Sequence, residues 1–151
     1  MSGSLTHSPS RILQQLLIDL GVATAPADGG SWPVYHGQEP DTPDNCVSVF
    51  VTAGIKQGRT HIDGEVYEIP GYMIRVRAQN EDEGWTEANA ICAGDDGLDK
   101  NSTRSTVTVG STDYLVCAVH RTSGPIHLGK ESGTKRDLFT INGTMSLRQT
   151  S

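Results

Sequence analysis

The stretch RDLFTINGTMSL (136–147) constrains the fold more than any other part of the chain. Phe139, Ile141, Gly143, Met145 and Leu147 alternate with Leu138, Thr140, Asn142, Thr144 and Ser146. That is the period of a strand with one apolar face. Asn142-Gly143 is also a strong two-residue hairpin signal. A turn there would pair Ile141 with Thr144 and Phe139 with Ser146, throwing the apolar residues before and after it onto opposite faces. Register follows the apolar face, so the segment is expected to be one continuous strand with a glycine kink or bulge. A strand of this kind must pair on its edges and be covered on its apolar side.

The first covering element is legible near the start. In SPSRILQQLLIDLG (8–21), Ser8 can cap a helix and Pro9 suits its first turn. Ile12, Leu13, Leu16, Leu17 and Leu20 form a stripe at helical spacing, and Gly21 is a natural stop. A short extended piece follows at Pro33–His36, then a proline-rich turn region. CVSVFVT (46–52) is apolar on both faces and reads as a central strand. VYEIPGYMIRVRAQ (66–79) predicts two extended pieces broken at Pro70-Gly71. In the second piece Tyr72, Ile74 and Val76 face one way, and Met73, Arg75 and Arg77 the other. The period then changes. EDEGWTEANAICAGDDGLDK (81–100) places Trp85, Ala88, Ile91, Cys92 and Leu98 near one helical face, and a helix is expected over about 83–100. STVTV and DYLVCAVHRT are strands around a Gly110 turn.

Seven extended segments and two helices predict an α+β fold: a mostly antiparallel sheet with an N-terminal helix and a mid-chain helix packed on it. A length of 151 residues fits a single domain, 1–151. A flexible lead-in over 1–8 and long loops at 52–64 and 123–137 are expected, with Asp63-Gly64 as a possible turn.

Net charge is −6. This argues against sequence-independent nucleic-acid binding, which needs clustered positive charge, and against a polybasic membrane patch. The opening MSGSLTHSPS lacks a secretory pattern. Cys46, Cys92 and Cys117 lack metal-ligand spacing, so free thiols beside apolar neighbours in a reducing cytoplasm are expected. His61 and Asp63 make at most half a metal site.

GPIHLGKESG (124–133) has the glycine–lysine frame of a phosphate-cradling loop. Glu131 replaces the hydroxyl that binds magnesium, Pro125 removes an N–H donor, and the following strand replaces the required helix. A solvated loop is the better expectation. The EDE triplet suits a helix N-terminus. Trp85 reads as a helix anchor. Arg75 and Arg77 are either a solvated sheet face or part of a subunit contact. No catalytic residue, metal site or cofactor is expected.

ILQQLLIDLGV, WPVYHGQEPDTPDNCVSVF, YMIRVRAQNEDEGWTEANAICAG and GPIHLGKESGTKRDLFTINGTMSL, in that order over about 9–148, resemble the tail terminator proteins of long-tailed bacteriophages. The glycine-rich, acidic GDDGLDKNSTRS departs from the family's helix end. The resemblance implies a structural, non-enzymatic virion protein, made in the host cytoplasm and placed at the head-proximal end of the tail. It implies a homohexameric ring that caps the tail tube and meets a neck or head-closure protein. Genomic DNA would only pass through the lumen, and no membrane is involved. Another neck component, or a small enzyme with an unrecognised site, is the alternative. Long polar segments of mixed charge suit subunit contacts. The expected interface residues are therefore Lys56, Arg59 and Asp63 in the first loop, and Lys130, Glu131, Lys135 and Arg136 in the second.

Overall fold

A computed structural model describes residues 5–59, 66–101 and 105–150. Its elements are helix α1 (Pro9–Leu20), strands β1 (Val34–His36), β2 (Cys46–Arg59) and β3 (Val66–Ala78), helix α2 (Glu81–Cys92), the short helix α3 (Leu98–Asn101), and strands β4 (Ser105–Val109), β5 (Thr112–Lys130) and β6 (Asp137–Gln149). The fold is α+β. One six-stranded sheet runs in the order β1-β2-β3-β6-β5-β4. Only the β1–β2 pair is parallel, so the sheet is mostly antiparallel.

Helix α1 begins as its sequence predicts. The Ser8 side chain accepts from Arg11 N, Pro9 occupies the first turn, and Gly21 closes the helix in the left-handed region at φ 79°. Ile12, Leu13, Leu16 and Leu17 are buried in one cluster with Val47 and Val49 of β2, Ile74 and Val76 of β3, Ile141 of β6 and Ile91 of α2. Leu5 also packs against this cluster. Thr6 N donates to Gln149 Oε1 at 2.8 Å, and His7 N to the Tyr114 hydroxyl at 2.9 Å. The end of the expected flexible lead-in is therefore tied to the last strands.

The closing strand is continuous over thirteen residues. Phe139, Ile141, Gly143, Met145 and Leu147 are all buried along it. Gly143 is a seat rather than a kink. It pairs with Tyr72 on one side and Arg121 on the other. A Cβ at this position would collide with the His120 carbonyl oxygen and stand 2.6 Å from the Tyr72 hydroxyl. The bulges lie in the partner strand. Tyr114 pairs with Gln149 and Lys130 with Asp137, so seventeen residues of β5 (114–130) face thirteen of β6 (137–149), through four register shifts. Each extra residue bends its strand and raises its twist, and the sheet curls accordingly.

Three local expectations need correction. Residues 66–78 form one strand, not two pieces. Thr52 pairs with Gly71 and Ile55 with Ile69, which places an extra residue of β2 opposite Pro70. A bulge is where a proline, with no N–H to give, costs the ladder least. The segments 52–64 and 123–137 are largely strand: β2 runs to Arg59 and β5 to Lys130, because backbone pairing needs no apolar side chain. Residues 60–65, with Asp63-Gly64 and His61, lie outside the described residues. The expected 83–100 helix starts at Glu81 and stops at Cys92, with a separate turn of helix at Leu98–Asn101. Asn80 caps it through Glu83 N. Gly94 and Gly97 fold back against Ala90, where a Cβ would stand 3.0 and 2.7 Å from the Ala90 carbonyl oxygen.

Gly143→Ala tests the role of that glycine. The His120 carbonyl belongs to the neighbouring backbone and cannot rotate away. The substitution is expected to cost about 1–3 kcal/mol through overpacking, measured by denaturant unfolding. Unchanged stability would show that β5 and Tyr72 give way freely.

Candidate functional site

The far end of the β5–β6 hairpin carries a network of buried and half-buried charge. Lys130 and Asp137 face each other in register, so opposite charges meet across the ladder. Asp137 is 1% exposed. Its carboxylate accepts from Lys130 Nζ at 2.9 Å and lies 2.9 Å from His127 Nε2. The Lys130 hydrogen bond holds the Asp137 carboxyl below its ordinary value; burial opposes that shift and His127 adds to it. His127 Nδ1 lies 3.3 Å from Glu81 Oε2 at the start of α2. The His127 ring stacks on Phe139 with centroids 4.8 Å apart. Phe139 is also the floor for α2: a Cβ on Gly84 would collide with its ring. Trp85 touches the same ring at 6.4 Å but stays 48% exposed, so it is not the buried anchor its helical position suggests. Gly84 takes that place because only a residue without a side chain fits over Phe139.

The connecting turn is locked by its own residues. Glu131 N donates to the Arg136 carbonyl at 2.6 Å, and Lys135 N to the Glu131 carbonyl at 3.0 Å. The Glu131 carboxylate accepts from the Thr134 hydroxyl, and from Arg136 Nη2 at 2.6 Å and Nε at 2.9 Å. These bonds, Thr134 first, lower the Glu131 carboxyl from its ordinary value. Arg136 also reaches across the fold, donating from Nη1 to the Asp41 carbonyl at 2.6 Å and to Asp44 Oδ1 at 3.3 Å.

A second arginine grips the same proline-rich segment. Arg77 is 2% exposed and donates from Nη2 to the Pro43 carbonyl at 2.7 Å and from Nε to the Asp44 carbonyl at 3.3 Å. Arg75 Nε lies 3.2 Å from Glu39 Oε2, an ion pair without hydrogen-bond geometry. Asn45 Oδ1 accepts from Gln79 N at 2.8 Å. The second face of β3 is therefore covered by residues 39–45, and its arginines are staples. A solvated face or a subunit contact was the expectation; the covering segment displaces both for Arg77.

Two hollows flank Trp32. One, of about 430 Å³, is lined by Asn45 and the acidic first turn of α2, with Asp82 and Glu83. The other, of about 390 Å³, lies where α1 and α2 both end, lined by Gly21 and Thr24, by Glu87 and Gly94, and by Asp95 and Asp96. Glu87 is 7% exposed, and among the described residues neither its Oε2 nor the Thr24 hydroxyl has a hydrogen-bond partner. Burial pushes the Glu87 carboxyl up to about 8. Among the described residues, no group of three or more His, Cys, Asp and Glu side chains is placed to hold a metal ion.

The expected interface residues divide into separate groups. Lys130, Glu131 and Arg136 come together in the hairpin network and are engaged within the chain. Lys135 stands exposed beside them at φ 62°. Lys56 and Arg59 sit in the β2–β3 ladder opposite Glu68 and Val66, and Asp63 lies outside the described residues. Asp137 and Glu87 are not among the residues the sequence singles out, and Arg77 stands out only as a solvated or subunit-contact arginine. Asp137 and Arg77 carry an ordinary polar signal at strand positions. Glu87 is one more acid on an acidic helix until the end of α1 is laid over it.

A family model described as bacteriophage tail terminator protein matches residues 16–142. No curated protein matches the chain. Among the described residues, no helix is long and apolar enough to cross a membrane.

Two buried acids should betray themselves by pH dependences of opposite sign. Asp137 has a lowered folded value, so its contribution is present above the ordinary 3.8 and lost as pH falls through the folded value. Asp137→Asn should cost about 1–3 kcal/mol at pH 7, and the deficit should shrink toward zero in acid; a deficit independent of pH would refute the charged network. Glu87 has a folded value near 8 against 4.5 ordinarily, so folding favours its protonated form. Its stability contribution is complete below 4.5 and is lost as pH rises to about 8. In paired melting curves Glu87→Gln should therefore gain on the parent protein across that interval. A constant difference would mean that Glu87 is hydrated.

Proposed function

Because this chain belongs to the bacteriophage tail terminator family, a family of structural phage-tail proteins, we propose that it caps the tail tube as a homohexameric ring and joins the tail to the neck of the head. The observation that carries the reading is the family match over 16–142, which spans every element from the middle of α1 to the middle of β6.

The physical character of the molecule supports it. The charged clusters described above hold a hairpin and a loop in place; they do not converge on a substrate cleft. Ile126 and Leu128 of β5, 46% and 53% exposed, offer apolar area near the same hairpin end, the kind of surface a partner would cover. A head-proximal ring must let DNA slide through its lumen. A net charge of −6 disfavours adhesion of that polyanion. Tail tube protein on one side and a neck or head-closure protein on the other are the proposed partners.

The test is capture by the cognate tube. Purified chain added to assembling tail tube protein should stop tube growth, and end-on images should show a six-fold ring at one end only. Binding to head or neck proteins with no effect on tube growth would place the chain elsewhere in the neck and overturn the capping assignment.

A further inference from the structure

The hollow at the joint ends of α1 and α2 has the character of a cation receptor. A helix C-terminus carries partial negative charge, commonly offset by a basic residue in its last turn. Neither α1 nor α2 has one there. Two carboxylates, Asp95 and Asp96, line the same hollow of about 390 Å³, with the buried Glu87 carboxyl in its wall. Asp95 is met by Lys100 Nζ at 3.2 Å in an open ion pair. Asp96 is exposed and has no hydrogen bond or ion pair among the described residues. The independent sign of a missing occupant is at the wall: Glu87 is more than nine-tenths buried, yet among the described residues neither its Oε2 nor the Thr24 hydroxyl has a hydrogen-bond partner. Buried polar atoms are ordinarily satisfied.

A complementary cation exists on the same chain. Among the basic residues whose side chains are described, all but Lys135 are engaged within the chain. Lys135 is exposed, stands just after the 132–134 turn at φ 62°, and donates its N–H to the Glu131 carbonyl. The Glu131–Arg136 bonds already order that turn, so little further entropy is lost on docking.

Lys135 does not line the hollow of its own molecule. Its hairpin end lies against the start of α2, through the His127–Glu81 pair, whereas the hollow lies at the end of α2. The hollow runs from Glu87, midway along α2, to Asp96 beyond its end, on a different part of the helix from Glu81. Two complementary surfaces displaced in this way make a head-to-tail contact between copies, the type that closes into a ring. We propose that the Lys135 ammonium of one copy enters the Glu87–Asp96 hollow of the next, an assignment that rests on the ring reading above and names one of its contacts.

Self-association of the purified full-length chain tests this by sedimentation and native mass spectrometry. Lys135→Ala should weaken assembly by at least about tenfold while the monomer's melting temperature stays unchanged. Lys135→Glu and Asp96→Lys should each block assembly, and the two together in one chain should restore it. Carbodiimide treatment of a mixture of isotopically light and heavy chains should join Lys135 of one chain to Glu87, Asp95 or Asp96 of another. Lys135→Ala assembling as well as the parent, or Lys135 cross-linked to another surface or to tube protein instead, would overturn this contact and leave the ring standing. A parent chain that stays monomeric at every concentration, alone and with tube protein, would overturn the ring reading itself.

Discussion

Everything in the sheet depends on β6 being held between β3 and β5. This strand comes last of the six in the chain but is third from one sheet edge and fourth from the other. It pairs with β3 from Asp137 to Leu147 and with β5 along its whole length. The two halves of the sheet, β1-β2-β3 and β5-β4, have no other seam. Gly143 is the tightest point of that seam, where the Tyr72 ring and the His120 carbonyl use the space of a side chain. Most of the sheet's long-range pairing therefore waits on a strand near the end of the chain, the type of topology in which loop closure must come before contacts repay it.

The charged residues divide between holding and presenting. Arg77 of β3 and Arg136 of the turn before β6 both bond carbonyls of residues 41–45, pinning an irregular segment that is otherwise exposed. Asp137 is buried where Lys130 and His127 can both meet it. These groups rigidify the hairpin end; a buried pair with all its bonds made is better evidence of a defined shape than of net stability. Lys135, Asp96 and the apolar tips at Ile126 and Leu128 are left over from that work and lie on the outside.

The candidate site was only partly legible in sequence. The segment 130–136 stands out in the sequence for its mixed charge, and of its charged residues Lys135 is left exposed without an ion pair among the described residues. Glu131 and Arg136 belonged to the same stretch for a different reason, since they bond each other. Mixed charge in a polar segment looks the same whether the charges close on themselves or wait for a partner. Glu87 carried no signal at all. It lies on a helix with three acids in its first turn, and the hollow it lines is completed by Gly21–Thr24 and Trp32, more than fifty residues earlier in the chain.

By itself the sequence determined the α1 stripe and its caps, the unbroken alternation of β6, the two-faced burial of β2 at Cys46–Val49, and the α+β class. These rest on periodicity and capping, which act within a few residues and leave a local trace. The tertiary structure alone decided that Pro70 sits opposite a bulge and that β5 carries four extra residues against β6. It also decided that α2 ends before Gly94. Arg136 finds Asp41 ninety-five residues away for the same reason. Pairing, bulging and buried charge are settled by what lies across the fold, and a strand or helix holds no local record of its distant neighbour.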